Sequence, residues 1–269
     1  MRLTRLALLF AGVFTVASCK EAEITRPNIP PTAVVRYINA LSDTGSVDIR
    51  MIDQVDFSAY GIPVAFRGGT AYQLVEAKTR HIRVFPTSLN ASVTSQIIHD
   101  TTIAFTAGTR VTLLLTGSAR SKTARFVVIT DNTDPPAAGQ IGVRLVNAST
   151  GAVNGYAVTA VGDAITGTPA FANVAPLTAS AYINRNAGAV AVRATDVGST
   201  TANASVAGPA APAPAPGDVF PAAGVTSAFT RLSAYYFPRG VAGSPQNAVT
   251  AASIVWFVDR NPCDTGTSC

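Results

Sequence analysis

Two stretches decide how this chain is read: "VRYINALSDTGSVDIRMID" at Val35 to Asp53 and "VRLVNASTGAVNGYAVTAV" at Val143 to Val161. Each opens on Val-Arg, reaches Asn-Ala within a few residues, breaks at a turn, and resumes as a second apolar run. More pairs follow in the same order. "HIRVF" at His81 to Phe85 lines up with "AVRAT" at Ala191 to Thr195, with Tyr72 and Tyr182 at one distance before them. "TAGTRVTLLL" pairs with "PAAGVTSAFT", which sets Gly108 opposite Gly224, and "VVITD" ending at Asp131 matches "VWFVD" ending at Asp259. One such block arises easily in a valine-rich chain. Several in sequence predict a duplicated unit.

Each block also reads as a strand. In "TRHIRVF", Ile82 and Val84 alternate with His81 and Arg83, the pattern of a sheet with one dry and one wet face. "RVTLLLTG" and "RFVVITDN" are more continuously apolar, as strands buried on both faces or at a domain contact would be. Hydrophobic residues make up 48% of the chain and charged ones 13%, which excludes a disordered polymer and argues against long amphipathic helices. The expected fold class is therefore all-β, two tandem antiparallel β-sandwich domains of immunoglobulin-like architecture. The first would run over 33–133 and the second over 140–269, separated by a proline-bearing linker at 134–139. "GPAAPAPAPG" at Gly208 to Gly217 reads as a polyproline-like loop within the second domain.

The N-terminus reads as an address. Arg2 and Arg5 precede an uncharged run from Leu6 to Ser18, too short for the roughly 20 residues that a spanning helix needs, and the run ends in small residues before Cys19. Val16 to Cys19 resembles the bacterial lipobox, which implies a signal peptide at 1–18 and acylation of Cys19. The alternative is an ordinary secretory signal with Cys19 as a bystander. Two or three acyl chains, at about 0.8 kcal/mol per buried methylene, would form a durable anchor. Residues 19–32 read as a flexible tether. Lys20 after the cysteine, by the same resemblance, favours an outer-membrane lipoprotein facing the periplasm or the cell surface. Outside the cytoplasm Cys263 and Cys269 are best read as a disulfide.

The segments "VRYINALSDTGSVDIRMID", "VAFRGGTAYQLV" and "TAGTRVTLLLTG" resemble the bacterial domain-of-unknown-function family 4397. The residues that carry the likeness are Val35, Arg36, Asn39, Ala40, Asp43, Val47, Asp48, Phe66, Tyr72, Ala107, Gly108 and Thr109. The second half keeps Val143, Arg144, Asn147, Ala148, Tyr182 and Gly224 but has no aspartates in place of Asp43 and Asp48. The resemblance implies tandem sandwich-like domains on exported, often lipid-anchored proteins, and it implies no established activity.

Chemistry-bearing groups are sparse. His99 and Asp100 are neighbours, so on a strand they point to opposite faces and make a poor base and orienter, and no nucleophile elbow accompanies them. Asp43 and Asp48 flank a turn, with Asp53 and Asp56 beyond, and are the candidate contacts for a ligand or calcium; the competing reading is that they bond turn backbone. Arg36 and Arg144 recur at one place and read as partners of a sheet-edge carboxylate. Tyr235, Tyr236, Phe237 and Trp256 read as core, or as a stacking surface if exposed. The net charge is +5, and removing Arg2 and Arg5 brings it nearer to balance, with no basic cluster of the kind nucleic acid requires. The expectation is a non-catalytic structural or protein-interaction module of the cell envelope, with no cofactor and no catalytic residues. Its partners would be the membrane, through the acyl chains, and an envelope protein or a glycan. The alternative is a glycan- or small-ligand-binding lipoprotein of an uptake or adhesion complex.

Overall fold

The computed structural model describes residues 30–53, 62–213, 215 and 221–264. Cys19, Asp56 and Cys269 lie outside them, as do the signal segment and most of the tether. Strands β1 (Thr32–Asn39), β2 (Val47–Met51), β3 (Ile62–Val64), β4 (Gln73–Glu76), β5 (Thr79–Pro86), β6 (His99–Ala104), β7 (Arg110–Thr116) and β8 (Arg125–Thr130) build the first half, with one short helix, α1 (Ala91–Thr94), between β5 and β6. The second half contains β9 (Gln140–Asn147), β10 (Val153–Val158), β11 (Phe171–Val174), β12 (Ile183–Asn186), β13 (Ala191–Asp196), β14 (Ala202–Ala207), β15 (Arg231–Phe237) and β16 (Ser253–Arg260).

The four-stranded sheets run β4-β1-β7-β8 and β3-β2-β5-β6 in the first half, then β12-β9-β15-β16 and β11-β10-β13-β14 in the second. The second half therefore repeats the first strand for strand, as two sandwiches. In both, the first strand lies parallel to the seventh, β1 with β7 and β9 with β15, while every other pair is antiparallel. The likeness to immunoglobulin domains is thus one of architecture and not of strand order.

Alternating side chains fill each sandwich. In the first, Val35, Tyr37, Val47, Ile82, Val84, Leu113 and Leu115 meet between the sheets; in the second, Val143, Leu145, Phe171, Val192, Leu232 and Ala234 do. Most of the intervening residues of β1, β7, β9 and β15 are buried as well. Ile38, Leu114 and Ile129 of one sandwich pack against Val146, Tyr235 and Phe237 of the other in a third core. This explains why β7, β9 and β15 are apolar almost without interruption: each is covered on both faces. Tyr235 to Phe237 are accordingly core residues of a strand.

Register corrects two of the expected correspondences. Arg36 pairs with Thr112 and Arg144 with Ser233, so "RVTLLLT" of β7 matches "RLSAYYF" of β15. Gly108 then falls opposite Phe229, not Gly224: the Gly108 N–H donates to Thr32 O and the Phe229 N–H to Gln140 O, each at the start of a first strand. Gly108 has φ 74° and Phe229 φ 65°, so the left-handed turn survives without its glycine. Gly224 instead lies against the backbone of Ala210 and Ala211, where a Cβ has no room. Second, Val47 and Val153 hold equivalent places, each opposite the third-strand valine, Val64 or Val174. The turn before β10 is the shorter one, and the counterpart of Asp48 is Asn154.

Candidate functional site: the seam between the sandwiches

The seam is built from four pairs of equivalent residues. Arg36 extends from the outer face of β1. Its Nε donates to Thr112 Oγ1 at 2.8 Å, its Nη1 to Val258 O at 2.9 Å, and its Nη2 to Asp259 Oδ1. Arg144 does the same from β9. Its Nε donates to Ser233 Oγ at 2.6 Å, its Nη1 to Thr130 O at 3.1 Å, and its Nη2 to Asp131 Oδ1. Each arginine thus bonds a hydroxyl of its own sandwich and a carboxylate of the other. The expected sheet-edge carboxylate is present, but it belongs to the opposite half. The second oxygen of each aspartate is taken too. Asp131 Oδ2 accepts from Tyr72 OH at 2.7 Å and Thr112 Oγ1 at 2.6 Å, while Asp259 Oδ2 accepts from Tyr182 OH at 2.7 Å and Ser233 Oγ at 2.5 Å.

The tyrosine rings are flanked by guanidinium groups. Arg36 and Arg110 lie over Tyr72 at 4.7 and 4.9 Å from its centroid, and Arg144 and Arg231 both lie over Tyr182 at 4.6 Å. Residue i of one half meeting j of the other, with j meeting i in return, is the signature of an isologous interface, here within one chain.

The electrostatics follow from burial. Arg36, Arg144, Asp131 and Asp259 are each at most 3% exposed. Burial opposes the Arg36 charge, but Asp259, with smaller contributions from Tyr235, Tyr72 and Asp131, outweighs it and holds the guanidinium well above its ordinary pKa. Arg144 is shifted the same way for the same reasons, Asp259 again being the largest attraction. Desolvation pushes the phenols of Tyr72 and Tyr182 strongly up, and that of Tyr235 up to about 12. Each carboxylate oxygen meets a donor and each guanidinium an acceptor, so the arrangement clasps two domains.

The other candidates are spread apart. Asp43 accepts from Ser118 Oγ at 2.6 Å and from the N–H groups of Arg120 at 3.0 Å and Ala119 at 3.1 Å, so it caps the β7–β8 turn. Burial would raise its pKa, but the Ser118 hydroxyl and those two N–H groups hold it below the usual carboxylate range. Asp48 accepts from Thr87 Oγ1 at 2.6 Å. The two aspartates serve different loops, and among the described residues no three His, Cys, Asp or Glu groups converge as a metal site would require. Asp53 pairs with Arg80 at 3.2 Å.

His99 and Asp100 diverge on β6. His99 packs edge-on to Phe126, with 5.8 Å between centroids, while Asp100 bonds His81 and Arg83 of β5. Burial lowers the pKa of His99; hydrogen bonds from His81 and Arg83 lower that of Asp100. Reasoning from sequence found Arg36, Arg144, the two tyrosines and the two aspartates as recurring landmarks but did not join them. The signal was that all three pairs recur together. Thr112 and Ser233 were missed because the β7 and β15 blocks were set out of step.

A family model described as a domain of unknown function (DUF4397) matches residues 33–156. The matched stretch takes in the first sandwich from Ala33 on and runs into β10, so it includes Arg36, Asp131 and Arg144 and stops short of Asp259. No curated protein matches the chain.

Proposed function

We propose that the protein is a lipid-anchored cell-envelope protein whose two sandwiches act as one non-catalytic structural or protein-interaction module. The observation that carries this reading is the seam. Arg36, Arg144, Asp131 and Asp259, four buried charges of the kind suited to chemistry in a dry site, are spent on each other across it, which favours a stiff body presenting loops and sheet edges. We further propose that residues 1–18 are a signal peptide, that Cys19 is acylated and held in the outer membrane on a tether at 19–32, and that Cys263 pairs with Cys269. The second sandwich, over 140–269, is proposed as a diverged copy of the first, over 33–133. Its support is the shared strand order and the repeated Arg-hydroxyl-Tyr-Asp set.

Mass spectrometry of the native N-terminal peptide tests the anchor: acylated Cys19 is expected, and an unmodified peptide beginning after Cys19 contradicts it. Affinity capture from envelope extracts with the chain lacking residues 1–19 tests the module: a defined protein partner, or nothing specific, is expected, and retention of a glycan in place of protein contradicts it. The second reading, a glycan- or small-ligand-binding lipoprotein, is favoured by an open cleft at one end of the seam.

A further inference from the structure

Because β1 and β7 run parallel, Asn39 and Thr116 lie at the same end of the sandwich, away from Thr32 where the chain enters β1. At that end a cleft of about 520 Å³ opens between the two halves, lined among others by Ser42, Thr116, Arg125, Thr150, Leu177 and Pro238. Its position on the seam gives it a twin, which Arg67 bridges. Leu177 and Arg67 are equivalent, since Gly68 O accepts from Asn39 N and Thr178 O from Asn147 N, and both hold positive φ, 58° and 67°. On the twin side, however, Arg67 spans the gap and donates through Nη2 to Pro238 O and Ala251 O, both at 2.6 Å, at the two ends of the long β15–β16 loop. On the open side the β7–β8 turn is short and an apolar Leu177 stands where Arg67 would be. Arg125, opposite Thr116 on β8, occupies the place that Ser253, opposite Phe237, has on the twin side. Symmetry is broken at the positions that leave a space and put a cation at its wall.

The lining is chemically specific. The Arg125 guanidinium forms no ion pair or hydrogen bond among the described residues, whereas Arg120 of the preceding turn is spent on Gly243 O and Asp43 is spent capping that turn. Ser42, Thr116 and Thr150 bring hydroxyl groups, and the partly exposed Leu177 and Pro238 add apolar surface. A guanidinium matches a carboxylate through two parallel N–H donors, hydroxyls exchange hydrogen bonds with sugar hydroxyls, and an apolar patch accepts the C–H face of a pyranose. We propose that this cleft binds an anionic saccharide, a sugar ring carrying a carboxylate, with Arg125 holding the carboxylate. The site rests on the second, glycan-binding reading, whose ligand class it specifies, and does not depend on the anchor.

The test is isothermal titration of the chain from Pro31 to Cys269, which contains both sandwiches entire, with a galacturonic acid trisaccharide. A neutral galactose trisaccharide and inorganic phosphate serve as comparators. Arg125→Ala and Arg125→Lys are the variants, and their thermal unfolding is followed to show that the fold is kept. Expected are binding of the uronate that weakens with added salt, little or no binding of the neutral sugar, and a loss of about tenfold or more in Arg125→Ala. Arg125→Lys recovers only part of that affinity, because an ammonium lacks the two-donor fork. Absence of uronate binding at millimolar concentration, affinity unchanged in Arg125→Ala, or phosphate binding as tightly as the uronate would each overturn the proposal. Neutral trisaccharide bound in place of the uronate would overturn the proposal and leave the glycan-binding reading standing, and none of these results bears on acylation of Cys19 or on protein capture.

Discussion

Asp259 receives donors from both halves of the chain: Arg36 from the first sandwich, Tyr182 and Ser233 from the second. A buried ion pair adds little to stability against an apolar replacement, because desolvation offsets most of the attraction, but breaking one side strands a charge. Asp259→Ala should therefore destabilise the protein by about 3–5 kcal/mol, measured by urea denaturation, with Asp131→Ala close to it. Replacing Arg36 as well should recover a large part of that loss, since the stranded cation is then gone; a fully additive double mutant would show that the two do not interact. Asp43 gives a pH prediction. Its folded pKa is depressed, so its contribution is fully present above the ordinary aspartate value of about 3.9 and is lost as pH falls through the folded value. The gap in melting temperature between the wild type and Asp43→Asn should accordingly be widest near neutrality and shrink in acid. A gap that grows as pH falls would contradict the capping role.

At the scale of elements, turns decide how far the two halves correspond. Gly117 closes the β7–β8 turn at φ 97°, and a Cβ there would sit 2.3 Å from Thr123 O. Gly117→Ala should cost more than about 1 kcal/mol, seen as a lower denaturation midpoint with an unchanged slope. Lys122 in the same turn is exposed at φ 54°, and Lys122→Gly should raise stability by up to about 1 kcal/mol. Strands and their pairing into two units were legible because alternation and recurrence are direct marks of a half-buried sheet, as Ile82 and Val84 show. The turns were not. A left-handed position is usually marked by glycine, and Phe229 fills one without it, so matching glycine to glycine set Gly108 against Gly224 and slid β15 out of step. The seam was half legible: the continuous apolarity of "RVTLLLT" announced a strand covered on both faces. Nothing local in "VVITD" or "VWFVD" says which half their aspartates serve, because pairing across a long loop leaves no periodic trace.

For the whole molecule, the seam makes one body of two similar halves. A third core holding Ile38, Leu114, Tyr235 and Phe237, all fully buried, is continuous with the two Arg–Asp clasps, so neither half can lose its fold without exposing apolar surface and charge on the other. Equivalent residues on the two sides keep the clasp symmetric. Three departures from symmetry, the long β15–β16 loop, Arg67 in the place of Leu177 and Arg125 in the place of Ser253, gather at the end away from Thr32, where the cleft beside Arg125 opens. The measurement that tests this account most directly is calorimetric unfolding of the chain from Pro31 to Cys269. A single endotherm whose calorimetric and van't Hoff enthalpies agree is the predicted result; two separable endotherms, one for each sandwich, would contradict it.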